Sequence, residues 1–544
     1  MPQGFLSIVL HAHLPYVRHP EHEYSLEEKW FYEAMLECYL PLLRRMEKLK
    51  DDGINYRLTF SVSPTLLSMM EDDLLRDRFI RYMQNLQELS RREEERTAGD
   101  PTFGPLATHY REHFDQIADY YHRRCRAHPS RVLKELQQEG CVEVITTAAT
   151  HGYLPLLDLQ RESTYAQLAA GIEYYTDMLG EPPRGIWLPE CAYDYGLEEV
   201  LEELGLQYFI TDTHGVLYAA PRPKYGVYSP IVTENGVAAF ARDPESSKQV
   251  WSSREGYPGD YNYREFYRDI GHDLPYDYIK DFLHPPGMRS DTGIKYYRIS
   301  GTDTLDFKEP YIPEIARDKA AEHAGNFMFN REKQVEYLSE VMNRPPLIIA
   351  PYDTELFGHW WFEGPIWLDC LCRKMDKDQD NVKLITPGDY LDMGYPLQIS
   401  TPSASSWGDK GYHEVWLNGK NDYLYPHLHR GARDMISLAT DYPDAEGLME
   451  RALTQAAREL LLAQSSDWPF IMTVGTMVEY AETRAHDHLV RFRKLIEQIH
   501  SGNINEEWLS KLEAVDNLYP RLDYRLFQKQ ETTVPVEVAT IGRD

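Results

Sequence analysis

Six short apolar runs, most of them followed closely by an ionisable side chain, constrain the fold of this chain more than any other feature. The runs cover residues 5–10, 57–62, 142–146, 185–188, 207–211 and 346–350. Stretches with helical spacing alternate with them, which predicts βα units and a parallel sheet. Histidine, aspartate or glutamate follows five of the six runs. Because the chemistry of βα barrels lies at the carboxyl ends of the strands, these side chains are candidates for one site.

The rest of the 544-residue chain predicts additional modules. A charged, strongly helical stretch separates the second and third runs, and helical patterns return after about residue 400. Residues 213–302 are rich in Tyr, Gly, Pro and Asp, and a long irregular stretch inside a compact domain is usually functional. The predicted organisation is a catalytic barrel in 1–70 and 139–399, inserted helices in 71–138, a C-terminal helical domain in 400–522 and a tail in 523–544.

Composition excludes several classes of partner. A net charge of −30 argues against binding to nucleic acid or to an anionic membrane surface. The sequence contains no run of about 18 apolar residues, so no transmembrane helix is expected. The first residues lack the basic segment of a secretory signal, and six scattered cysteines without a CxxC pair suit a reduced, cytoplasmic protein. The 39 tyrosines and 10 tryptophans provide rings on which the apolar faces of sugars could stack.

Two strand-end carboxylates point to glycoside chemistry. Glu190 follows the fourth run beside Trp187, and Asp353 follows the sixth. Retaining cleavage of a glycosidic bond requires one carboxylate that attacks the anomeric carbon and a second that donates and then removes a proton. The alternative is that both residues only cap the helices that follow them.

Histidines at two strand ends allow two interpretations. His11-Ala-His13 follows the first run, and His151 follows the third. An HxH pair after a first strand is a common metal-ligand arrangement in barrel hydrolases, and His151 with Asp212 could complete such a site. The other interpretation is that the histidines hydrogen-bond to substrate hydroxyls and tune Glu190.

Several motifs, in this order along the chain, resemble glycoside hydrolase family 57 and, within it, the 1,4-α-glucan branching enzymes. They are HAHLP at residues 11–15, ATHGYLP at 149–155, WLPECAY at 187–193, PYDTELFGHWW at 351–361, WGDKGYHEVWLN at 407–418 and SDWPF at 466–470. A further segment of the resemblance spans residues 251–271. Each motif is weak alone, but the ordered set covers essentially the whole chain.

The resemblance implies an α/β fold: an incomplete (β/α)7 barrel with an inserted helical domain and a C-terminal all-α domain. It implies that Glu190 is the nucleophile and Asp353 the acid/base, without a metal or organic cofactor. The family's mobile substrate loop falls within residues 213–262, where Tyr228 is our candidate for the covering aromatic ring. The full set of predicted substrate contacts is His11, His13, His151, Trp187, Tyr228, Arg242, Trp360, Trp407, Trp416 and Asp467.

The implied reaction transfers a chain from an internal α-1,4 linkage to a 6-hydroxyl of an α-1,4-glucan such as amylose or glycogen. Within the family, a 4-α-glucanotransferase or an α-amylase is the alternative, with a 4-hydroxyl or water as the acceptor. From another class, a metal-dependent hydrolase on a similar barrel would use the histidines as ligands. No oligomeric state is predicted.

Overall fold

A computed structural model describes residues 2–252, 255–300 and 304–528 of the chain. In these ranges ten strands form two five-stranded sheets. The strands are β1 (Gly4–Ala12), β2 (Leu58–Val62), β3 (Val142–Ile145), β4 (Gly185–Trp187), β5 (Tyr208–Thr211), β6 (Ile231–Val232), β7 (Ala238–Ala241), β8 (Leu347–Asp353), β9 (Val382–Leu384) and β10 (Gln398–Ile399).

Helices separate most of these strands and form the chain after β10. They are α1 (Glu28–Ala34), α2 (Leu40–Asp51), α3 (Pro64–Glu71), α4 (Asp73–Thr97), α5 (Phe103–Asp119), α6 (Pro129–Gln138), α7 (Leu154–Leu157), α8 (Arg161–Leu179), α9 (Leu197–Glu203), α10 (Thr213–Leu217), α11 (Pro244–Trp251), α12 (Ile270–Asp273), α13 (Tyr276–Ile279), α14 (Pro313–Val341), α15 (Gly364–Lys377), α16 (Pro387–Asp392), α17 (Tyr425–Asp441), α18 (Gly447–Ala463), α19 (Asp467–Val474), α20 (Val478–Ser501) and α21 (Glu506–Val515).

The first sheet has β1 at its centre. All nine residues of β1 are buried, which suits a parallel strand that is covered on both faces. β1 pairs in parallel with β2, β8 and β9. The register sets His11 opposite Ser61 of β2 on one side and opposite Asp353 of β8 on the other. The carboxyl ends of β1, β2 and β8 therefore meet at one edge of the sheet.

The second sheet has the order β10-β6-β7-β5-β4. A parallel bridge between Thr146 and Ile186 joins the end of β3 to β4. The Asp243 amide, just after β7, donates to the carbonyl of Ile349 in β8 at 2.8 Å. Contacts of this kind connect the two sheets at both of their neighbouring edges.

The predicted α/β class with a helical C-terminal region is confirmed. The predicted irregular stretch 213–302 needs a correction, because β6, β7 and α11 lie inside it. Strand β7 reads Ala-Ala-Phe-Ala, and its small side chains give little of the β-branched or aromatic signal that marks a strand.

The predicted tail also needs a correction at its start. Tyr524 and Phe527 are buried, in a short helical turn that packs against α8 and α17. Residues 523–528 therefore pack with the helical region, and residues 529–544 of the predicted tail lie outside the described ranges. None of the helices within those ranges combines the length and the apolar composition needed to cross a lipid bilayer.

Candidate active site

Glu190 lies in a tight turn directly after β4. Its φ is 60° and that of Cys191 is 51°, so two successive residues with side chains adopt the left-handed conformation. Such a conformation costs about 1–3 kcal/mol per residue and persists only where the surroundings hold it. Here the backbone amide of Trp407 donates to the Glu190 carbonyl at 3.0 Å. The strained turn points to a functional role for Glu190.

The Glu190 carboxylate accepts two hydrogen bonds. The Trp407 Nε1–H donates to Oε2 at 2.8 Å, and the Ser466 hydroxyl donates to Oε1 at 2.9 Å. Burial raises the pKa of Glu190, and the bonds from Trp407 and Ser466 oppose that rise because they stabilise the ionised form. This environment suits a carboxylate that must attack as an anion.

Asp353 is the last residue of β8, where it is partly buried beside two other carboxylates. Burial raises its pKa well above the usual range, and the charges of Glu355 and Glu190 raise it further. The nearby Arg242 guanidinium opposes this rise and also forms an ion pair with Asp212 at 2.6 Å. A raised pKa favours the protonated carboxyl group, which is the form that can act as a general acid.

The three predicted histidines form one stacked cluster at the strand ends. His11 Nε2 lies 3.0 Å from His151 Nε2, and the rings of His13 and His151 stack at 3.9 Å between centroids. His13 Nε2 pairs with Asp467 at 3.1 Å, and the pKa of His13 is raised because the charges of Asp467 and Glu190 outweigh the effect of burial. The cluster lies beside Glu190, since His151 Nδ1 is 3.6 Å from Oε1 of that residue.

Each strand-end histidine therefore has at least one protein partner, whereas Nδ1 of His13 has none among the described residues. Within the described ranges, the His, Asp and Glu side chains close enough together to hold a metal ion are Glu459, His488 and Asp516. That group is buried in the C-terminal helical region, where Asp516 also pairs with Arg491 at 2.7 Å. It does not include the histidines that the metal-site hypothesis used.

The predicted tryptophans occupy three different environments. Trp407 touches Glu190, and its ring lies edge-on to Trp187 at 5.2 Å between centroids. Trp360 is 55% exposed and stacks on Phe266 at 4.5 Å, which leaves an aromatic platform open to solvent. Only Trp360 and Trp407 of the four predicted tryptophans are more than slightly exposed.

Trp187 and Trp416 are almost completely buried, so the structure gives their predicted sugar contacts no exposed ring face. Trp187 is 0% exposed and lies flat against His11, with centroids 4.6 Å apart and planes within 4°. Trp416 is 1% exposed and stacks on Tyr153 at 4.7 Å. The Trp187 ring therefore packs against His11 of the histidine cluster, and the Trp416 ring packs in the protein interior.

Tyr228, a predicted substrate contact, lies far from the strand-end cluster. Its carbonyl accepts from the amide of Leu347, the first residue of β8, whereas Asp353 is the last. At about 3.3 Å per residue, those two ends of β8 are about 20 Å apart. The phenol hydroxyl lies 3.5 Å from Gln334 of α14. Tyr228 thus belongs to the opposite end of the sheet from the cluster.

The sequence interpretation missed Ser466 and Glu355 as members of the site. Ser466 precedes Asp467 at the start of α19 and was part of a recognised motif, but its own role was not considered. Glu355 accepts hydrogen bonds from the His13 amide at 3.2 Å and from the Tyr39 hydroxyl. Its position two residues after Asp353 is the sequence feature that could have identified Glu355 as a site residue.

We expect Glu355→Gln to shift the alkaline limb of the pH profile of kcat/KM to lower pH. The substitution removes a negative charge that raises the pKa of Asp353, so the Asp353 carboxyl should lose its proton at a lower pH. Glutamine can still accept from the His13 amide. Glu355→Asp, which keeps the charge, is the matched control, and an equal shift in both variants would contradict the electrostatic cause.

Trp407→Phe should lower kcat/KM by about ten- to a hundredfold, the value of one hydrogen bond to a charged group. The acidic limb should move to higher pH, because the Glu190 anion loses a donor. The matched control is Trp251→Phe, which changes a ring 6.3 Å from that of Trp407 without removing a bond to Glu190. An unmoved acidic limb in Trp407→Phe would rule out this role of the indole.

Comparisons with known proteins identify the family of the chain. The model of the family described as "Glycosyl hydrolase family 57" matches residues 7–402, and the one described as "1,4-alpha-glucan branching enzyme, C-terminal" matches residues 427–527. A 1,4-alpha-glucan branching enzyme of Thermococcus kodakarensis is 34% identical over 95% of this chain and 77% of its own length.

Two solved structures are similar over almost the whole chain. The alpha-amylase AmyC of Thermotoga maritima has a TM-score of 0.91 and 43% identity, covering 97% of this chain and 100% of that one. A branching enzyme of this family from Pyrococcus horikoshii has a TM-score of 0.87 and 34% identity, covering 97% of each chain. Since the family model spans most of the sequence, including both strand-end carboxylates, the chain belongs to glycosyl hydrolase family 57.

Proposed function

We propose that this protein is a retaining 1,4-α-glucan branching enzyme with Glu190 as nucleophile and Asp353 as acid/base. The observation that carries the proposal is the contrast between the two partly buried carboxyl groups. Glu190 accepts two hydrogen bonds that favour its anion, while burial and neighbouring charges raise the pKa of Asp353 and so favour its protonated form. A nucleophile and a general acid in one site are what retaining glycoside cleavage needs.

The reaction then proceeds in two displacements. Glu190 attacks C1 of a glucose unit, and the leaving 4-oxygen of the next unit takes the proton of Asp353, which leaves a glycosyl ester on Glu190. The Asp353 carboxylate next removes the proton from a 6-hydroxyl of a glucan chain. That oxygen attacks C1, the ester bond to Glu190 breaks, and an α-1,6 branch forms with retained configuration.

Sugar contacts come from both regions of the chain. His13, paired with Asp467, is a candidate contact near the nucleophile, and the exposed Trp360 ring on Phe266 is a stacking surface. His11 and His151 border the same position, and Arg242 balances the charge near Asp353. The substrate would be an α-1,4-glucan, and branch formation would belong to the synthesis of a glycogen-like polymer.

We infer that β1, β2, β3, β4, β5, β7 and β8 form an incomplete (β/α)7 barrel. The bridge from Thr146 to Ile186 and the bond from Asp243 to Ile349, which connect the two sheets, support it. Helices α4–α6 within residues 71–138 would then be an insertion, and the helical region after residue 400 a separate domain.

An α-amylase is the second candidate, because the similar structure with the higher identity is an α-amylase. The chemistry of the first displacement is the same, and the acceptor would be water. Shielding of the glycosyl ester decides between them, because water is far more concentrated than any glucan hydroxyl. Trp251, from the segment predicted to cover the site, is a residue placed to provide it, since its ring lies against Trp407.

The product of amylose treatment tests the proposal. We expect new α-1,6 anomeric proton signals that exceed the gain in reducing ends, unchanged by EDTA, and absent with Glu190→Gln as control. Reducing ends without α-1,6 signals would make the protein an amylase. Redistributed chain lengths without either would make it a 4-α-glucanotransferase, and loss of activity in EDTA would favour the metal-dependent class.

A further inference from the structure

A continuous chain of hydrogen bonds runs from Glu190 into the interior of the sheet. The Glu190 Oε1 atom lies 2.9 Å from the Ser466 hydroxyl, which lies 2.9 Å from His151 Nδ1. His151 Nε2 is 3.0 Å from His11 Nε2, and His11 Nδ1 is 3.0 Å from the Ser61 hydroxyl. We call the side chains of Ser61, His11, His151 and Ser466 the serine–histidine chain. All four are buried.

Counting hydrogens assigns a direction to this chain. Burial lowers the pKa of His11 and of His151 well below the usual value, and the nearby His13 adds to the effect, so both imidazoles are neutral and carry one N–H each. With one hydroxyl hydrogen on each serine, four hydrogens are available for the four contacts. The carboxylate of Glu190 can only accept, so every donor must point toward Glu190.

We propose that the direction of the serine–histidine chain is locked to the charge of Glu190, and that Ser466 is the positioning residue that transmits it. In the ionised state the Ser61 hydroxyl donates to His11 Nδ1, His11 Nε2–H donates to His151 Nε2, His151 Nδ1–H donates to Ser466, and Ser466 donates to Glu190. In this proposal, only the role of Glu190 as the nucleophile rests on the proposed function.

The opposite direction is available but ends in a weaker bond. If the Glu190 side becomes a donor, Ser466 must accept from it and donate to His151 Nδ1. The N–H groups then move to His151 Nε2 and His11 Nδ1, and Ser61 must donate to the carbonyl of Thr146 at 3.5 Å. That distance is at the limit of a hydrogen bond. The chain therefore favours the ionised form of Glu190 and counteracts the rise in its pKa that burial causes.

The two histidine tautomers provide a direct test. In Glu190→Gln, the Trp407 Nε1–H can only donate, so the amide oxygen must face it and the amide NH2 must face Ser466. The chain must then reverse. We expect ¹⁵N-histidine NMR of the full-length protein to report an N–H at Nδ1 of His151 and Nε2 of His11 in the parent, and at Nε2 of His151 and Nδ1 of His11 in Glu190→Gln.

The matched control is Asp353→Asn, which changes the other carboxyl group and leaves the chain untouched, so the parent tautomers should remain. Resonances are assigned by their loss in His11→Gln and His151→Gln. Identical tautomers in the parent and in Glu190→Gln would overturn the proposal. Because this measurement uses no substrate, it can succeed even if amylose treatment yields no α-1,6 product, and the two ideas fail separately.

A second measurement tests the consequence for ionisation. Ser466→Ala should move the acidic limb of the kcat/KM profile about one to two pH units higher, the equivalent of one hydrogen bond to a charged group. Ser466→Thr keeps the hydroxyl and should restore the parent limb. A role of Ser466 in packing alone would lower activity at all pH values equally, and an unmoved limb in a folded Ser466→Ala would overturn the proposal.

Discussion

Glu190→Gln should lower turnover by about four to six orders of magnitude, as expected for a member of a catalytic unit. Glutamine is close in shape to glutamate and can still accept from Trp407, so the midpoint of thermal unfolding should stay near that of the parent. Asp353→Asn should be comparably inactive, and the double variant should be scarcely worse than either single one, because the two groups act together. Reducing-end and α-1,6 product assays measure both effects.

Rescue by azide distinguishes the nucleophile from the acid/base. In Glu190→Gly the left-handed turn suits glycine, and azide can enter the space of the lost carboxylate and attack C1 from the same side. The product should be a β-glycosyl azide. With Asp353→Ala, azide should instead intercept the glycosyl ester and give an α-glycosyl azide. Ordinary turnover in Glu190→Gln, or interchanged azide products, would refute the assignment.

Trp416→Ala should lower the free energy of unfolding by about 3–5 kcal/mol, the usual result of emptying a buried tryptophan site. The ring is stacked on Tyr153, and a Cβ built on Gly408 would lie 2.6 Å from it, so the space around it is filled. Denaturant titration measures the loss, provided that the transition is two-state.

Trp360→Ala is the matched control for this effect, because its ring is largely exposed and should contribute little to folding. Amylose binding should weaken in Trp360→Ala at nearly unchanged stability. The reverse pattern, with a stable Trp416→Ala that binds amylose poorly, would restore the original interpretation of Trp416 as a sugar contact.

The strand ends could be predicted from sequence because parallel strands bring their carboxyl ends to one edge. Glu190, Asp353 and the histidines all follow apolar runs, and no long-range information was needed to bring them together. The orientation of the Trp187 side chain could not be predicted. The chain turns at Pro189 and Glu190, and the Trp187 ring stacks on His11.

The distant position of Tyr228 and the burial of Trp416 could not be predicted from sequence for a common physical reason. Composition reports that a segment is rich in aromatic residues, but it does not report which end of a sheet the segment follows. Tyr228 lies beside the first residue of β8 rather than the last. Trp416 lies in a loop whose other tryptophan, Trp407, reaches the site, so one loop provides both a packing residue and a site residue.

The two hydrogen bonds to the Glu190 carboxylate limit which segments of this chain can be exchanged by recombination. Trp407 precedes the matched C-terminal helical segment and Ser466 lies within it, while Glu190 comes from the matched hydrolase segment. A recombination that exchanged the helical segment between distant relatives would replace the partner of Oε1 while it kept the partner of Oε2. The two segments can therefore diverge in surface and loops, but a chimaera joined between residues 407 and 466 would have to keep both the Ser466 donor to Glu190 and the Asp467 partner of His13.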